Sequence, residues 1–364
     1  MMGASRAMGA LAALGALWAL AGCAPHQTDP APRPGPIHLR YASPYSPAHP
    51  FSRADLAWIR HVEAASGGRL SIDPYWGGVT ISSDQSVLEL KHGIADIALI
   101  TPIYQRAGVK TIKTQTGFYV GADTAEQQVA TYRCLEQTYP VFTRELAGVH
   151  VLAVQGGSLA HIITRTRTVR SLDDLKGLRL RAPTEVAVAL RRFGVSPSTM
   201  PMAEVYSALS KGTIDGVAAP SDTLQALHFS EVARHIYTLP VARGGYPARA
   251  ISDRAYQSLP PDLRQVLDQS RDFWEAQLAQ QVRRAESSGA EFGRREGVLF
   301  TAPSAEDEAR FARAEIEVAS AEAQRLRSIG VDGPAILAAA QAFIAARNSN
   351  PGAACPARPA SQSD

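Results

Sequence analysis

Apolar residues alternate with polar ones in short runs along the first part of the chain, and stretches with helical spacing separate these runs. Residues 37–42, 70–76 and 95–100 have the alternation or the continuous apolar character of strands. Residues 51–65 and 83–93 place their apolar side chains on one face of a helix, and glycines follow both segments. The pattern therefore predicts the order β-α-β-α-β over about the first 65 residues of a globular body.

A second cycle begins with a strand pattern at residues 149–154. Residues 178–181 predict another strand, which Pro183 ends, and residues 213–217 predict a third. Strands that alternate with helices are typical of parallel sheets covered by helices. Ligands of such α/β proteins bind where loops gather at one edge of a sheet, so the pattern predicts a cleft.

The last third of the chain has a different pattern. Residues 261–297 and 305–348 are rich in Ala, Glu, Gln and Arg at helical spacing. These segments predict amphipathic helices that pack outside the α/β body.

The N-terminus combines an apolar run with a cysteine. The run begins near Ala7, spans about 16 residues, which is fewer than the roughly 20 of a membrane-spanning helix, and ends in Leu20-Ala21-Gly22-Cys23. This predicts a lipoprotein signal peptide at residues 1–22, with lipid on Cys23 and an extracytoplasmic mature chain. An ordinary secretory signal or a short anchor is the alternative. Residues 23–36 are Pro-rich and predict an extended tether.

The C-terminus and the remaining cysteines leave one question open. Residues 348–364 contain Pro, Ala and Ser without a periodic pattern, which predicts a disordered tail. Cys355 lies in this tail. A disulfide between Cys134 and Cys355 would require the tail to dock, whereas a free Cys134 would be a small buried residue.

Composition and motifs exclude several classes of function. The formal net charge is +3 and 20% of residues are charged, without the concentrated basic stripe that a nucleic-acid partner requires. The chain has no GxSxG, GxxxxGK or HExxH motif and no His or Cys residues at metal-ligand spacing. We therefore predict no catalytic residues, no metal and no cofactor.

Five stretches, in this order and spacing, resemble one known family. They are His49-Pro50-Phe51, residues 88–98 (LELKHGIADIA), residues 171–183 (SLDDLKGLRLRAP), residues 200–216 (MPMAEVYSAL running into IDG) and residues 259–264 (LPPDLR). The chain resembles the solute-binding proteins of tripartite ATP-independent periplasmic (TRAP) transporters, of the dicarboxylate-binding type, from residue 37 to about residue 346.

The resemblance implies an α/β, two-lobed periplasmic binding protein fold, with a ligand cleft between the lobes and long C-terminal helices. Lobe I would comprise residues 37–158, with residues 248–300 returning to it, and lobe II residues 159–247. Residues 301–347 would form the C-terminal helices.

The resemblance also implies a receptor rather than an enzyme. Such a receptor captures a small organic acid in the periplasm and delivers it to the TRAP transporter membrane subunits, and here the lipid on Cys23 would anchor it to a membrane. A lipoprotein ligand sensor on the same fold is the alternative. A neighbouring gene for a sensor kinase, instead of genes for two membrane subunits, would favour the sensor.

Arg181 matches the family's arginine that pairs with the ligand carboxylate. A guanidinium offers parallel donors to both carboxylate oxygens and stays charged in a dry cleft. The alternative is an ordinary arginine of a surface strand, such as Arg179 two residues earlier on the same face.

Two positions depart from the family pattern. His161 stands where many members have a second arginine, and Ala219 where they have an asparagine. These departures predict a ligand with one carboxylate and a less polar remainder, to which His161 could donate a hydrogen bond. Other positions that match family contacts are Ala42, Ser83, Thr101, Tyr104 and Met202. Tyr104 and Met202 could equally be core residues.

Overall fold

A computed structural model describes residues 35–105 and 107–356 of the 364-residue chain. The predicted signal peptide, Cys23 and the tether up to residue 34 lie outside the described residues, as do residues 357–364. In the part of the chain that is described, no helix is both long and apolar enough to cross a membrane.

The strands are short and distributed along the chain. They are β1 (Ile37–Ala42), β2 (Leu70–Tyr75), β3 (Ile97–Leu99), β4 (Val149–Gln155), β5 (Ala160–Thr164), β6 (Arg179–Arg181), β7 (Ser196–Ser198), β8 (Gly216–Ala219), β9 (His235–Val241), β10 (Tyr246–Ser252) and β11 (Leu299–Thr301).

Helices connect and cover these strands. The α-helices are α1 (Pro50–Ala65), α2 (Ser86–Lys91), α3 (Lys110–Thr114), α4 (Ala125–Thr138), α5 (Val141–Arg144), α6 (Thr184–Arg191), α7 (Met202–Lys211), α8 (Thr223–Ala226), α9 (Phe229–Val232), α10 (Asp253–Ser258), α11 (Pro261–Gln269), α12 (Arg271–Arg295), α13 (Ala305–Leu326) and α14 (Gly333–Ser349). Short 3₁₀ helices span Pro102–Tyr104, Gln115–Tyr119, Leu172–Leu175 and Arg327–Ile329.

Two sheets define two lobes. The first lobe contains the sheet β2-β1-β3-β10-β4, and the second lobe contains the sheet β11-β9-β5-β8-β6-β7. Each sheet has apolar clusters on both faces, where helices cover it. The prediction of parallel sheets is incomplete, because β10 runs antiparallel to its neighbours in the first sheet and β5 to its neighbours in the second.

Both antiparallel strands exist because the chain crosses between the lobes. It leaves the first sheet at the end of β4 and enters the second at the start of β5, so residues 156–159 form the first crossover. It returns from β9 to β10 through residues 242–245, the second crossover. The long helix α12 makes a third connection, since it packs on α1 of the first lobe and on α8 of the second.

Each sheet contains the same arginine–aspartate clip. The backbone N–H of Arg40 donates to Asp96 (2.9 Å), and its Nε and Nη2 donate to the two oxygens of the same carboxylate (3.0 and 3.1 Å). Arg179 bonds to Asp215 in the same way (2.9, 3.0 and 2.6 Å). The aspartates of two of the family stretches therefore join neighbouring strands.

The first lobe is built around a fully buried ion pair. Nε and Nη2 of Arg249 on β10 donate to the two carboxylate oxygens of Asp55 on α1 (3.0 and 3.2 Å), and both side chains are completely buried. Tyr41 and Trp274 donate to the same carboxylate (2.6 and 2.9 Å). The buried charges are thus paired and their acceptors are satisfied, which a buried ion pair requires.

The C-terminus corrects one prediction and answers the open question on the cysteines. Cys134 on α4 and Cys355 form a disulfide, with their Cα atoms 5.3 Å apart. Helix α14 continues to Ser349, and Asn348 accepts a hydrogen bond from Gln127 of α4 (2.6 Å). The prediction of disorder from residue 348 is therefore wrong for residues 348–356, because the disulfide and this hydrogen bond hold them on the first lobe.

We expect Asp55→Asn to lower the free energy of unfolding by about 3–5 kcal/mol, because it leaves the guanidinium of Arg249 buried without its counter-charge. The matched control is Asp262→Asn, since Asp262 pairs with Arg69 at the surface; we expect it to cost less than about 1 kcal/mol. Urea unfolding of both variants tests this. Equal losses would show that the buried pair is not essential to the first lobe.

Candidate functional site

A cavity lies between the two lobes, and we call it the central cavity. Its empty space, including the part that is open to solvent, is about 580 Å³. The first lobe, the second lobe and the second crossover all contribute to its lining. The lining residues are Ile103, Tyr104 and Tyr246 of the first lobe, Ala160, Arg181, Pro183, Val186, Met202, Ala218, Pro220 and Val241 of the second, and residues 242–245.

Arg181 is the lining cation at the end of β6. The residue is only 1% exposed, and its Nε donates to the carbonyl of Met200 (2.9 Å). Its Nη2 donates to the hydroxyl of Tyr104 (2.6 Å), which belongs to the other lobe. Pro183 follows two residues later and is the N-cap of α6, so that β6 ends at Arg181. The predicted anchor residue therefore lies in the central cavity and contacts both lobes.

Tyr104 of the first lobe and Met202 of the second lobe also line the central cavity. Tyr104 ends the 3₁₀ helix that follows β3, and its ring centre lies 5.5 Å from the guanidinium carbon of Arg181. Met202 is the first residue of α7 and is half-buried. Three of the eight predicted ligand contacts, including Arg181, are thus brought together by the fold.

Ala42, Ser83 and Thr101 are not among the lining residues. Ala42 is completely buried in the core on one face of the first sheet. The hydroxyl of Thr101 donates to the carbonyl of Ser83, and its backbone N–H donates to the hydroxyl of Ser86 (2.9 Å). These bonds fasten the loop before α2 to the end of β3. The three residues are therefore part of the first lobe and do not line the central cavity.

His161 and Ala219 face away from the cavity side of their sheet. They are direct cross-strand partners on β5 and β8. Because side chains alternate along a strand, they point to the face opposite to that of Ala160 and Ala218, which line the cavity. His161 bonds instead to the carbonyl of Leu239 (3.2 Å), and its Nε2 lies 3.7 Å from Glu286.

Two polar lining residues escaped the sequence analysis. Arg243 lies in the second crossover, and Tyr246 is the first residue of β10. The hydroxyl of Tyr246 accepts a hydrogen bond from Gln155 (3.0 Å). The glycine pair Gly244-Gly245 after a strand was the only local signal for this segment. The chain has His161 where many family members have a second arginine, but Arg243 provides a second guanidinium in the cavity lining.

The lining has a clear chemical character. It contains two arginines and two tyrosines but no Asp or Glu, and the rest is apolar or glycine. Among the described residues, no group of three or more His, Cys, Asp or Glu side chains could hold a metal ion. The arrangement suits a small anion with an apolar body.

The family model described as bacterial extracellular solute-binding protein, family 7, matches residues 41–324. The chain belongs to this family. The resemblance to TRAP solute-binding proteins seen in the motifs is thereby confirmed, and so is the predicted fold class. The family is one of binding proteins and not of enzymes.

The chain is similar to known solute-binding proteins over part of the length of each. One from Verminephrobacter eiseniae is 25% identical over 183 residues, which is 49% of this chain and 54% of the relative. One from Albidiferax ferrireducens is 25% identical over 219 residues, 57% of this chain and 61% of the relative. The chain thus matches little more than half the length of these two relatives.

A crystal structure of a TRAP solute-binding protein from Rhodoferax ferrireducens is similar over nearly its whole length. The TM-score is 0.78 at 25% identity, and the match covers 86% of this chain and 99% of the other. That protein was crystallised with copurified benzoate.

In the present chain, a second, smaller cavity lies next to the central cavity and is lined by two carboxyl groups. Val186 and Ala242 line both spaces and separate them. Glu185 accepts a hydrogen bond from the backbone N–H of Gly117, across the lobes, and Glu315 accepts one from the N–H of Ala242 (3.0 Å). Burial raises the pKa of Glu315 to about 8 and raises the pKa of Glu185 well above its usual value.

We expect the contribution of these two carboxyls to the free energy of unfolding to fall as the pH rises from about 5 to 8. A carboxyl whose pKa is raised on folding binds a proton more tightly in the folded state, so it stabilises the protein at low pH and loses this effect as the pH approaches the folded pKa. The slope reaches at most about 1.4 kcal/mol per pH unit for each group.

Glu315→Gln should flatten this slope, because the amide keeps the acceptor for Ala242 without titrating. Glu317→Gln is the matched control, since Glu317 lies on the same helix, is exposed and pairs with Arg192. Urea unfolding at a series of pH values measures both variants. A slope that is unchanged in Glu315→Gln would show that this carboxyl does not titrate in the window.

Proposed function

We propose that this chain is the extracytoplasmic receptor of a TRAP transporter, which captures a small organic acid and delivers it to the membrane subunits. The observation that supports this most directly is the guanidinium of Arg181, buried in a cavity between two lobes. A charge in such a site is stable only when it is paired or hydrogen-bonded, and a ligand carboxylate meets this requirement.

The lining also supports a ligand with an apolar body. Val186, Val241 and Met202 form walls beside the guanidinium of Arg181. The structural neighbour with copurified benzoate binds an acid of this type. We therefore propose a carboxylate bound at Arg181, with a hydrocarbon or aromatic remainder against the apolar walls.

We propose that the two lobes close on the ligand about the two crossovers. The first crossover contains Gly156 and Gly157. A side chain on Gly156 would collide with the backbone of Ala125 at the start of α4. Short segments that are held at one side and lie between two rigid sheets are typical hinges.

Arg181→Ala should weaken binding of the acid by about 2–5 kcal/mol, the usual cost of removing one partner of a buried charge pair. Arg181→Lys should restore only part of the affinity, because an ammonium group lacks the planar fork.

A thermal-shift screen of monocarboxylates, dicarboxylates, oxo acids and acid sugars identifies the acid first. A ligand at a hundred times its Kd adds about 2.7 kcal/mol of stability. Calorimetry then measures the variants.

The control for these variants is Arg179→Ala, on the same strand but paired with Asp215 outside the cavity. It should bind the acid like the wild type. Near-neutral behaviour of a folded Arg181→Ala protein would remove Arg181 as the anchor, and a screen in which no acid stabilises the protein would contradict the receptor function.

We further propose that lipid on Cys23 anchors the receptor to a membrane in the periplasm. This rests on the apolar run that ends in Leu20-Ala21-Gly22-Cys23. Cys23→Ser should abolish labelling with fatty acid and release the protein from the membrane fraction, whereas Cys355→Ser should keep both properties. A wild-type protein that takes up no label would refute the lipid anchor.

A further inference from the structure

Arg243 occupies a position from which it can reach a ligand in the central cavity. It lies in the second crossover and lines the cavity together with Arg181. The first crossover leaves room for it, since a side chain on Gly157 would come within 2.7 Å of its Nη1. Ser158 of the same crossover accepts a hydrogen bond from Nη1 over 3.3 Å. The guanidinium therefore lies against the first crossover, in the wall of the cavity.

The described part of the chain uses little of the hydrogen-bonding capacity of the Arg243 side chain. A guanidinium has five N–H donors, and the bond to Ser158 is long for its type. Within residues 35–105 and 107–356, Arg243 forms no ion pair. Burial raises the pKa of Asp222 to about 6, and the charge of Arg243 opposes this rise, so Asp222 lies in the neighbourhood of Arg243. The two charged groups are nevertheless more than 4 Å apart.

The two cavity arginines act on a common region. Burial raises the pKa of Tyr45, nearby tyrosines raise it further, and both Arg243 and Arg181 oppose this rise. Both guanidiniums therefore lie close enough to influence one hydroxyl group. Both arginines line the central cavity together with the apolar side chains of Val186 and Val241. A ligand in this cavity therefore meets two cations and an apolar wall.

We infer that Arg243 determines specificity by binding a second oxygen of the acid, adjacent to the carboxylate that Arg181 binds. This inference rests on the proposed receptor function. Arg243 then selects acids with an oxygen on the second carbon, the 2-oxo and 2-hydroxy acids, over acids of the same shape that lack this oxygen. Once the lobes close, a carboxylate alone would leave most of the N–H donors of Arg243 without an acceptor, which costs binding energy.

Calorimetry on matched acids tests the inference. The pairs are phenylacetate with phenylglyoxylate and hexanoate with 2-oxohexanoate, which differ only in the oxygen on the second carbon. We expect the wild type to bind the 2-oxo acid of at least one pair about 10- to 150-fold more tightly, the range of one hydrogen bond to a charged group.

Arg243→Gln should reduce this preference to less than about 3-fold, while affinity for the acid without the oxygen changes little. Glutamine removes the charge and keeps a polar amide donor at this position. Arg181→Lys should weaken both acids of a pair to the same degree, and Arg179→Gln should leave all affinities unchanged.

Equal affinity of the wild type for both acids of each pair would overturn the role of Arg243 and leave the receptor function intact. A folded Arg243→Gln protein that loses affinity for both acids equally would overturn it as well, since the residue would then act as a general cation. Absence of binding to these four acids and to every acid in the screen would overturn both proposals.

Discussion

The buried pair of Asp55 and Arg249 is the interaction on which the rest of the structure depends. Two charges without contact to water are tolerated only with close partners, so the position of β10 relative to α1 is narrowly determined. Arg249 also donates to Gln155, and Gln155 donates to Tyr246 in the central cavity. A hydrogen-bonded chain thus joins the core of the first lobe to the binding site.

The two crossovers transmit this constraint to the second lobe. Gln128 on α4 donates to the carbonyl of Gly157 and accepts from its N–H (3.0 and 2.8 Å), which holds the first crossover. Gly245 of the second crossover approaches the backbone of the same glutamine so closely that no side chain fits. Both crossovers therefore rest on α4, and Arg243 between them has a defined place.

Electrostatics divides the site into regions. Arg181 and Arg243 face a cavity without acidic residues, while Glu185 and Glu315 lie behind the wall formed by Val186 and Ala242. Burial favours the neutral form of both carboxyls, so they do not cancel the positive field at the ligand. Glu315 accepts a hydrogen bond from Ala242, which precedes Arg243 in the second crossover. This hydrogen bond therefore connects the carboxyl that titrates behind the cavity to the second crossover.

Local spacing was enough to predict much of this protein. The β-α-β-α-β order at the start of the first lobe, strand β4 and the end of β6 at Arg181 depend on residues close in sequence, and the ordered motifs indicated the family. Long-range pairing decided the rest. Alternation on the paired strands β5 and β8 turns His161 and Ala219 away from the cavity, and the disulfide of Cys134 depends on the docking of the chain after α14. Arg243 enters the site only because β10 returns to the first sheet, and no local pattern encodes such a contact.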